Sequence, residues 1–354
     1  MRKKIFKIIL FIIIIIVAAV AALLITLIAT EYKPADTETT DITGTASSTL
    51  KTGESLQVLS WNLGYCGLSS EADFFLDGGE SVRPVTKDGV QENLSSISDY
   101  IASSGADLVA LQEVDVDSKR SYHIDENAAI ADTLSGYQNT FATNYKVFYV
   151  PYPVPTVGSV HAGLSSYSQY EITDTLRTSL NNASSSLWRL FYMKRCLLSS
   201  RIPIEGTDQE LVFINLHLEA YSEGDGQAKQ TKQLLELMQS EYDKGNYVIA
   251  CGDFNQTFSN ADTSNYPLQS DTAWEAGILD VEDFGENFTA IMDTDVPSCR
   301  SLEYAYDGSE DFQFYVIDGF IVSDNVTIKS CKTDDLDFRW SDHNPTTLEV
   351  TLNP

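Results

Sequence analysis

The chain has 354 residues, of which 43% are hydrophobic and 11% aromatic, which is enough for a large buried core. Its 23 basic and 51 acidic residues give a net charge of −28, and such an acidic surface disfavours nonspecific binding to polyanions. The five cysteines are widely spaced without a CxxC pair, so neither a zinc site nor a dense disulfide framework is predicted. A Cys299–Cys331 bridge remains open as an alternative outside the cell.

The first predicted element is an apolar N-terminal helix. Residues 8–29 carry no charged side chain and would span about 33 Å as a helix, enough for a hydrocarbon core of about 30 Å. Basic residues precede this segment and acidic residues follow it, so the positive-inside rule predicts a cytoplasmic N-terminus and an exported remainder. We predict a basic cytoplasmic tail over residues 1–7 and a single-pass cell-membrane anchor over residues 8–30. A cleaved signal peptide is the alternative.

The anchor is followed by a change in composition. Residues 31–54 are rich in Thr, Ser, Asp and Gly and contain few large apolar side chains. This composition predicts a flexible linker. The exported domain is then predicted over residues 55–354.

Strand and helix patterns alternate through that domain. Apolar runs bounded by turn residues predict strands over residues 56–61, 107–112, 146–150, 211–218, 248–251, 314–322 and 347–352. Apolar residues at helical spacing predict helices over residues 90–101, 128–134 and 228–242. This alternation predicts a layered α/β domain with one functional edge where the strand ends meet.

Asp253 and Asn255 follow one of these strands directly after Gly252. In extended backbone, residues two apart point to the same side. A carboxylate and an amide on one side can orient a nucleophile and hold a developing oxyanion. Ordinary turn chemistry is the alternative explanation for the pair.

Further polar residues stand at strand ends and suggest a metal site. Glu113 and Asp342 offer hard carboxylate oxygens, and Asn62 offers an amide carbonyl. Such a set suits Mg²⁺, which binds one or two carboxylates in proteins and keeps several waters.

Two histidines can serve acid–base chemistry. His217 and His343 can exchange protons near neutral pH, and Asp318, within an apolar strand, could orient an imidazole. The sequence contains no G-x-S-x-G nucleophile motif. Water is therefore the predicted nucleophile.

Taken together, six short motifs resemble the endonuclease/exonuclease/phosphatase superfamily. In chain order they are Ser-Trp-Asn62, Leu-Gln-Glu113, Asn-Leu-His217, Gly-Asp253-Phe-Asn255, Ile-Asp318-Gly-Phe and Ser-Asp342-His343. Each motif alone is nonspecific, but their order is typical of this superfamily. The resemblance implies a DNase I-like, four-layer α/β sandwich, with two central mixed β-sheets flanked by helices, that acts on phosphoesters with Mg²⁺ or, as an alternative ion, Mn²⁺.

The resemblance also implies residue roles. Glu113 is the main metal ligand, with Asn62 and Asp342 beside it. His343 is the acid–base residue, oriented by Asp318. The attacking water and the phosphoryl oxygens are positioned by the remaining pair, Asp253 and Asn255. A histidine at position 217 is typical of the DNase I-like and neutral sphingomyelinase-like branches rather than of abasic-site endonucleases.

The resulting hypothesis is a membrane-anchored, extracytoplasmic, Mg²⁺-dependent phosphodiesterase. Its alternatives are an extracellular DNase-like nuclease, a sphingomyelinase-like phospholipase C, and a catalytically silent surface-binding module on the same fold. Its partners are a phosphoester substrate (a nucleic acid, a lipid headgroup or a small molecule) and the membrane. The sequence implies no protein partner.

The roles of four further residues and of one long segment are left open by the sequence. His123 and His161 lie in candidate substrate loops, with a structural role as the alternative. Arg120 and Arg300 could bind a phosphate, but a solvated surface position is predicted for both. The segment from Gln256 to Phe312 is predicted to build much of the specificity surface.

Overall fold

The computed structural model describes residues 2–46, 48–83, 85–181, 187–221, 225–270 and 273–354. Its α-helices are α1 (Arg2–Ala29), α2 (Lys87–Ser104), α3 (Glu126–Thr133) and α4 (Gly226–Tyr242). The strands of the first half are β1 (Thr37–Thr39), β2 (Ile42–Gly44), β3 (Ser55–Asn62), β4 (Leu108–Asp115), β5 (Gln138–Val150), β6 (Gly158–Ser168) and β7 (Asp174–Ser179). Those of the second half are β8 (Cys196–Pro203), β9 (Glu210–His217), β10 (Tyr247–Asp253), β11 (Gln256–Phe258), β12 (Gly277–Leu279), β13 (Phe288–Ile291), β14 (Cys299–Arg300), β15 (Phe314–Tyr315), β16 (Asp318–Ser323), β17 (Val326–Thr333) and β18 (Thr346–Leu352).

Two mixed sheets of seven strands each form the centre of the described part of the chain. Sheet I has the strand order β1-β7-β8-β9-β10-β16-β13, and sheet II has the order β17-β18-β3-β4-β6-β5-β2. In each sheet one parallel pair lies in the middle, β9–β10 in sheet I and β3–β4 in sheet II, between antiparallel neighbours. The parallel pairs bring strand ends from both halves of the chain to one edge.

The core has three apolar layers. The layer between the sheets contains residues from both, among them Val58, Leu108, Phe213, Ile249 and Val350. On the outer face of sheet II, α2 contributes to a second cluster, and α4 contributes to a third on sheet I. Helices therefore flank two central sheets, and the predicted four-layer sandwich is confirmed.

Helix α2 shows how local sequence sets these elements. The Thr86 hydroxyl accepts a hydrogen bond from the Gly89 N–H and caps the first turn. Gly105 ends the helix with a φ of 68°, a left-handed conformation that favours glycine. The helix predicted over residues 90–101 is confirmed and extends three residues further at each end.

The strand predicted over residues 314–322 is interrupted. β15 and β16 are separate because the Ser298 hydroxyl accepts hydrogen bonds from the N–H groups of Ile317 and Asp318. Several strands were not predicted at all, including the serine-rich β6 and the polar β17. Their composition resembles that of loops, and only their pairing in the sheet makes them strands.

The prediction of a flexible linker over residues 31–54 is wrong. β1 pairs with β7 at the edge of sheet I, and β2 pairs with β5 at the edge of sheet II. The threonines and the isoleucine of this stretch are β-branched and suit edge strands, although the composition resembles that of a linker. Residues before the predicted boundary at 55 therefore take part in both sheets; Ser47 lies outside the described residues.

Helix α1 is long and apolar enough to cross a membrane, and its most apolar window is not buried within the protein. Length and composition fit a single anchor and also fit a signal sequence. At its end Leu27 is buried. All five cysteines lie within the described residues and are free thiols, so Cys299 and Cys331 are not joined by a disulfide.

Candidate active site

The register of sheet I places three predicted site residues in one row. Asp253 at the end of β10 lies opposite His217 of β9 on one side and Asp318 of β16 on the other. Gly252 makes this row possible, because its φ is 145° and a Cβ there would lie 2.0 Å from the carbonyl oxygen of Leu216. The strand ends of sheet I therefore bring together one imidazole and two carboxylates.

Sheet II contributes Asn62 and Glu113. Asn62 ends β3 as predicted, but β4 continues past Glu113 to Asp115. Glu113 instead lies in a β-bulge between Leu111 and Val114, with a φ of 52° that is uncommon for a residue with a side chain. The bulge turns the carboxylate out of the sheet, and 23% of its side chain stays exposed.

Asp342 and His343 lie on the connection between β17 and β18, and sheet II fixes their backbone. The Ser341 hydroxyl donates to the carbonyl oxygen of Asn62 over 2.7 Å. The Trp61 indole N–H donates to the carbonyl oxygen of His343 over 2.8 Å. These two hydrogen bonds therefore hold the loop in place against the end of β3.

Asp253 is the centre of the buried polar cluster. Its Oδ2 accepts a hydrogen bond from the Asn62 amide over 3.0 Å and lies 3.4 Å from His217 Nε2. The same oxygen lies 3.8 Å from His343 Nε2. Asn255, with a φ of 51°, donates its backbone N–H to Asp253 Oδ1 over 2.9 Å. Asp253 therefore contacts residues that come from both sheets.

The two histidines differ in charge. Burial alone would lower the pKa of His343, but Asp318, whose Oδ2 lies 2.7 Å from His343 Nδ1, and Cys299 raise that pKa well above its usual value. Burial lowers the pKa of His217 well below its usual value, and Arg195 and the charged His343 lower it further. The site thus pairs an imidazolium with a neutral imidazole.

The carboxylates of Glu113 and Asp342 fit a hard cation. Burial raises the pKa of Asp342 to about 6, His343 opposes this rise, and the nearby negative charge of Glu113 adds to it. A divalent ion would relieve that repulsion. The Asn62 oxygen accepts from the Gly64 N–H over 3.0 Å, which leaves it one further lone pair. The donors predicted for a metal are thus compatible with one.

Cys299, Asp342 and His343 form a second geometric possibility, since their ligand atoms lie within 4.8 Å of one another. Burial raises the pKa of the Cys299 thiol to about 12, so this sulfur stays protonated. Metals bind the thiolate rather than the thiol. The oxygen donors are therefore the better metal site.

A cavity of about 920 Å³ opens over this cluster. Its lining includes Asn62, Glu113, His217, Asp253, Asn255, Asp342 and His343. Asp318 is the one predicted site residue outside the lining, and it is buried behind His343. That position fits a residue that orients the imidazole without touching a substrate.

Of the basic residues in the cavity wall, the sequence interpretation misplaced Arg120 at the solvated surface and did not name Arg195. Arg120 is not a solvated surface residue, since only 11% of its side chain is exposed: it donates to both Asp115 oxygens and lies 3.9 Å from the centre of the Tyr65 ring. Arg195 donates to the carbonyl oxygen of His217 over 3.1 Å. Asp115, five residues before Arg120, is the sequence signal that could have predicted the pair.

Arg300 is also buried rather than solvated, and its contacts are structural. Its guanidinium donates to the backbone carbonyls of Ser69 over 2.6 Å and of Ala72 over 3.1 Å. These bonds hold the segment after β3 against β14. Arg300 lines the cavity but offers its donors mainly to the backbone.

Neither of the open histidines is among the described residues that line the cavity. His161 lies within β6, with Nε2 3.0 Å from the Thr143 hydroxyl, and exposed His123 pairs with Asp117 over 2.6 Å. From the predicted specificity segment, Trp274 and residues 299–303 are in the lining, while 271 and 272 lie outside the described residues.

Comparison with known proteins gives matches to one family. The model described as the Endonuclease/Exonuclease/phosphatase family matches residues 59–343. An endonuclease/exonuclease/phosphatase structure from Beutenbergia cavernae is 16% identical with a TM-score of 0.58, covering 84% of this chain and 72% of the other. One from Bacteroides vulgatus is 15% identical with a TM-score of 0.52, covering 85% and 100%. The human Nocturnin catalytic domain, solved with bound sulfate, is 14% identical with a TM-score of 0.51, covering 89% and 97%. No curated protein sequence matches significantly.

Proposed function

The chain belongs to the endonuclease/exonuclease/phosphatase family, whose fold is that of metal-dependent phosphoesterases, and we propose that it is a phosphodiesterase that uses Mg²⁺. We further propose that α1 anchors it in the cell membrane, with residues 1–7 in the cytoplasm and the folded domain outside. The positive charges in the first turns of α1, at Arg2, Lys3, Lys4 and Lys7, and the acidic chain after α1 support this orientation.

One observation carries the proposal. The imidazolium of His343, supported by Asp318, lies beside Asp253 and neutral His217 at the floor of a cavity that also holds Glu113 and Asp342. Hydrolysis of a phosphodiester needs a positive group near the phosphate, an oriented water and neutralisation of the phosphoryl oxygens. This constellation offers residues for each need.

We assign the roles accordingly. Glu113 and Asp342, with the oxygen of Asn62, would hold Mg²⁺, or Mn²⁺ in its place, and that ion would neutralise charge on the phosphoryl oxygens. His343 stabilises negative charge that develops on the phosphate and donates a proton. Asp253 and Asn255 orient the attacking water.

His217 serves the same water from the other side of Asp253. Its Nε2 lies 3.4 Å from Asp253 Oδ2, and its lowered pKa keeps the ring neutral, so that it can accept a hydrogen bond from the water although it is a weak base. Of the two imidazoles, His343 is thus the one that carries a proton to donate.

The proposal is tested with the full chain in detergent and the substrate bis-(p-nitrophenyl) phosphate. Glu113→Gln removes the charge and nearly keeps the shape, so we expect loss of Mg²⁺ binding by calorimetry and a fall in turnover of at least about a hundredfold. The melting temperature should stay within a few degrees of the wild type. Excess EDTA should abolish wild-type turnover.

The matched control is Glu236→Gln, since Glu236 lies on α4 and 65% of its side chain is exposed. This variant should keep turnover and Mg²⁺ binding. Full activity of Glu113→Gln, or of the wild type in excess EDTA, would contradict the metal site. A folded wild type without turnover of any phosphodiester would favour the silent binding module.

A further inference from the structure

The mouth of the cavity is aromatic, in contrast to its polar floor. We name as the aromatic rim the five lining residues Phe75, Tyr152, Trp188, Phe191 and Tyr192. Of these, Tyr152 is 70% exposed, Trp188 68% and Tyr192 44%. The ring centres of Phe75 and Tyr152 are 6.1 Å apart, and those of Trp188 and Phe191 are 6.4 Å apart. These four rings form two pairs in the cavity lining.

Three segments distant in sequence build this rim. Phe75 precedes α2, Tyr152 lies at the tip of the β5–β6 hairpin, and the other three residues lie in or directly after the short 3₁₀ helix Leu187–Leu190. Leu76 and Val154, next to these rings, are exposed as well. Large exposed apolar patches mark surfaces that contact a partner or a membrane.

The end of α1 lies at the same place. Arg189, the residue after Trp188, donates from Nε to Glu31 Oε1 over 3.1 Å, and Lys194 Nζ lies 3.8 Å from the same oxygen. Tyr32 donates to the carbonyl oxygen of Thr143 on β5 over 3.5 Å. The residues that leave α1 are therefore bonded to the segments that carry the aromatic rim.

The connection from α1 to the domain leaves little freedom. α1 ends at Ala29, β1 begins at Thr37, and the Glu31 side chain between them is only 5% exposed. A flexible linker would let the domain move far from the bilayer, but this connection does not. If α1 spans a membrane, the aromatic rim lies near its surface.

The local charge also suits a lipid surface. Lys33 and Arg189, whose side chains are 65% and 36% exposed, pair with the carboxylate of Glu31, in a protein whose net charge is −28. Basic residues next to a membrane segment attract lipid phosphates. Tyr and Trp side chains are enriched at the level of the headgroups, where one end of the ring system stays wet.

We propose that the aromatic rim lies in the headgroup layer of the membrane that α1 spans, so that the cavity opens toward the bilayer and takes a phosphoester of a membrane lipid. This inference rests on the proposed anchor and phosphoesterase activity. The rim positions the headgroup over the floor, where His343 and the carboxylates act. Aromatic rings can also stack on the bases of single-stranded nucleic acids, but such sites add free basic side chains along a groove, whereas Arg120, Arg195 and Arg300 of this cavity donate to acceptors of the protein itself.

The test uses the full chain reconstituted in vesicles of phosphatidylcholine, sphingomyelin or phosphatidylglycerol. Turnover of the vesicle lipid is compared with turnover of bis-(p-nitrophenyl) phosphate and of a single-stranded oligonucleotide. In the double variant Tyr152→Ser/Trp188→Ser, we expect the lipid-to-soluble turnover ratio to fall at least about tenfold, since two large interfacial side chains are lost. The control Ile278→Ser, at an exposed residue outside the lining, should leave both rates unchanged.

A second measurement reports contact without turnover. Lipids with a quencher near the headgroup should quench tryptophan fluorescence more in the wild type than in Trp188→Phe. Equal quenching would overturn the inference, even if no substrate were cleaved.

The remaining outcomes separate this inference from the proposed function. Turnover of the soluble diester without any lipid turnover, or an unchanged ratio in the double variant, would overturn the lipid inference and leave the phosphodiesterase intact. If the double substitution reduces only the cleavage of the oligonucleotide, the ligand of the aromatic rim would be a nucleic acid and not a lipid. No turnover of any substrate would instead contradict the proposed function.

Discussion

The floor of the cavity and its aromatic rim are built in opposite ways. The floor residues His217 and Asp253, and Asp318 behind the floor, are buried neighbours whose positions follow from the register of three strands. Three of the five rim residues, Tyr152, Trp188 and Tyr192, are exposed, and all five lie outside the strands. The comparison shows that strand pairing sets the positions of the residues proposed to act on the phosphate. Loops set the positions of the residues proposed to contact the lipid.

Gly252→Ala is the strongest way to break the floor. A Cβ at this position would lie 2.0 Å from the Leu216 carbonyl oxygen, at a φ of 145°. β9 and β10 cannot both keep their places, so we expect a loss of unfolding free energy of roughly 4 kcal/mol or more. The measurement is denaturant unfolding of the full chain in detergent.

Gly206→Ala is the matched control. Gly206 also has a positive φ, 84°, but a Cβ there would meet nothing within 4 Å. Only the backbone strain of about 1–2 kcal/mol should appear. Equal effects of the two substitutions would mean that the close contact with β9 is not what places Asp253.

The floor could be predicted from the sequence because each residue follows a short apolar run. Asn62, His217 and Asp253 end strands in the structure, within two residues of the strand ends that the run lengths predicted. Their mutual distances could not be predicted, because strand pairing joins residues far apart in the chain. That these residues lie in one site was predicted from the order of the six motifs, which is typical of a known superfamily.

The rim could not be predicted, for physical reasons. Its segments have no periodicity, and an exposed aromatic residue looks like a buried one in sequence. The bulge at Glu113 and the edge strands β1 and β2 depend on pairing partners that a local pattern does not contain. Arg120 was placed at the surface because its partner Asp115 was not recognised.

His343→Ala tests the floor separately from the rim, because it removes the catalytic imidazole and leaves all five residues of the aromatic rim in place. We expect turnover of bis-(p-nitrophenyl) phosphate to fall at least about a hundredfold, the contribution of one acid–base group. Lipid turnover should fall equally, so the lipid-to-soluble ratio stays constant. A changed ratio would mean that floor and rim are not separable.

Asp318→Asn should cost less, about tenfold, because Asp318 acts through His343 rather than on the substrate. In the double variant the second substitution should add little, since the two residues act as a unit. Additive losses would contradict the pairing. Turnover of all four proteins over a range of substrate concentrations gives the comparison.

The smallest expected effect comes from loosening the rim from the membrane without changing a single side chain. An insertion of about ten Gly and Ser residues between Thr30 and Glu31 keeps the anchor, and Glu31 stays with Arg189 and Lys194 on the domain. Such a linker has a mean extension of roughly 17 Å, so the domain can rise off the headgroups and the local concentration of lipid at the cavity falls. We expect the lipid-to-soluble turnover ratio to drop by about threefold to fivefold, less than for the rim variant, because the rim can still rebind. The same insertion at Gly206, an open turn, should leave the ratio unchanged. If both insertions behave alike, the short connection does not set the height of the cavity, and the rim alone would have to hold it at the bilayer.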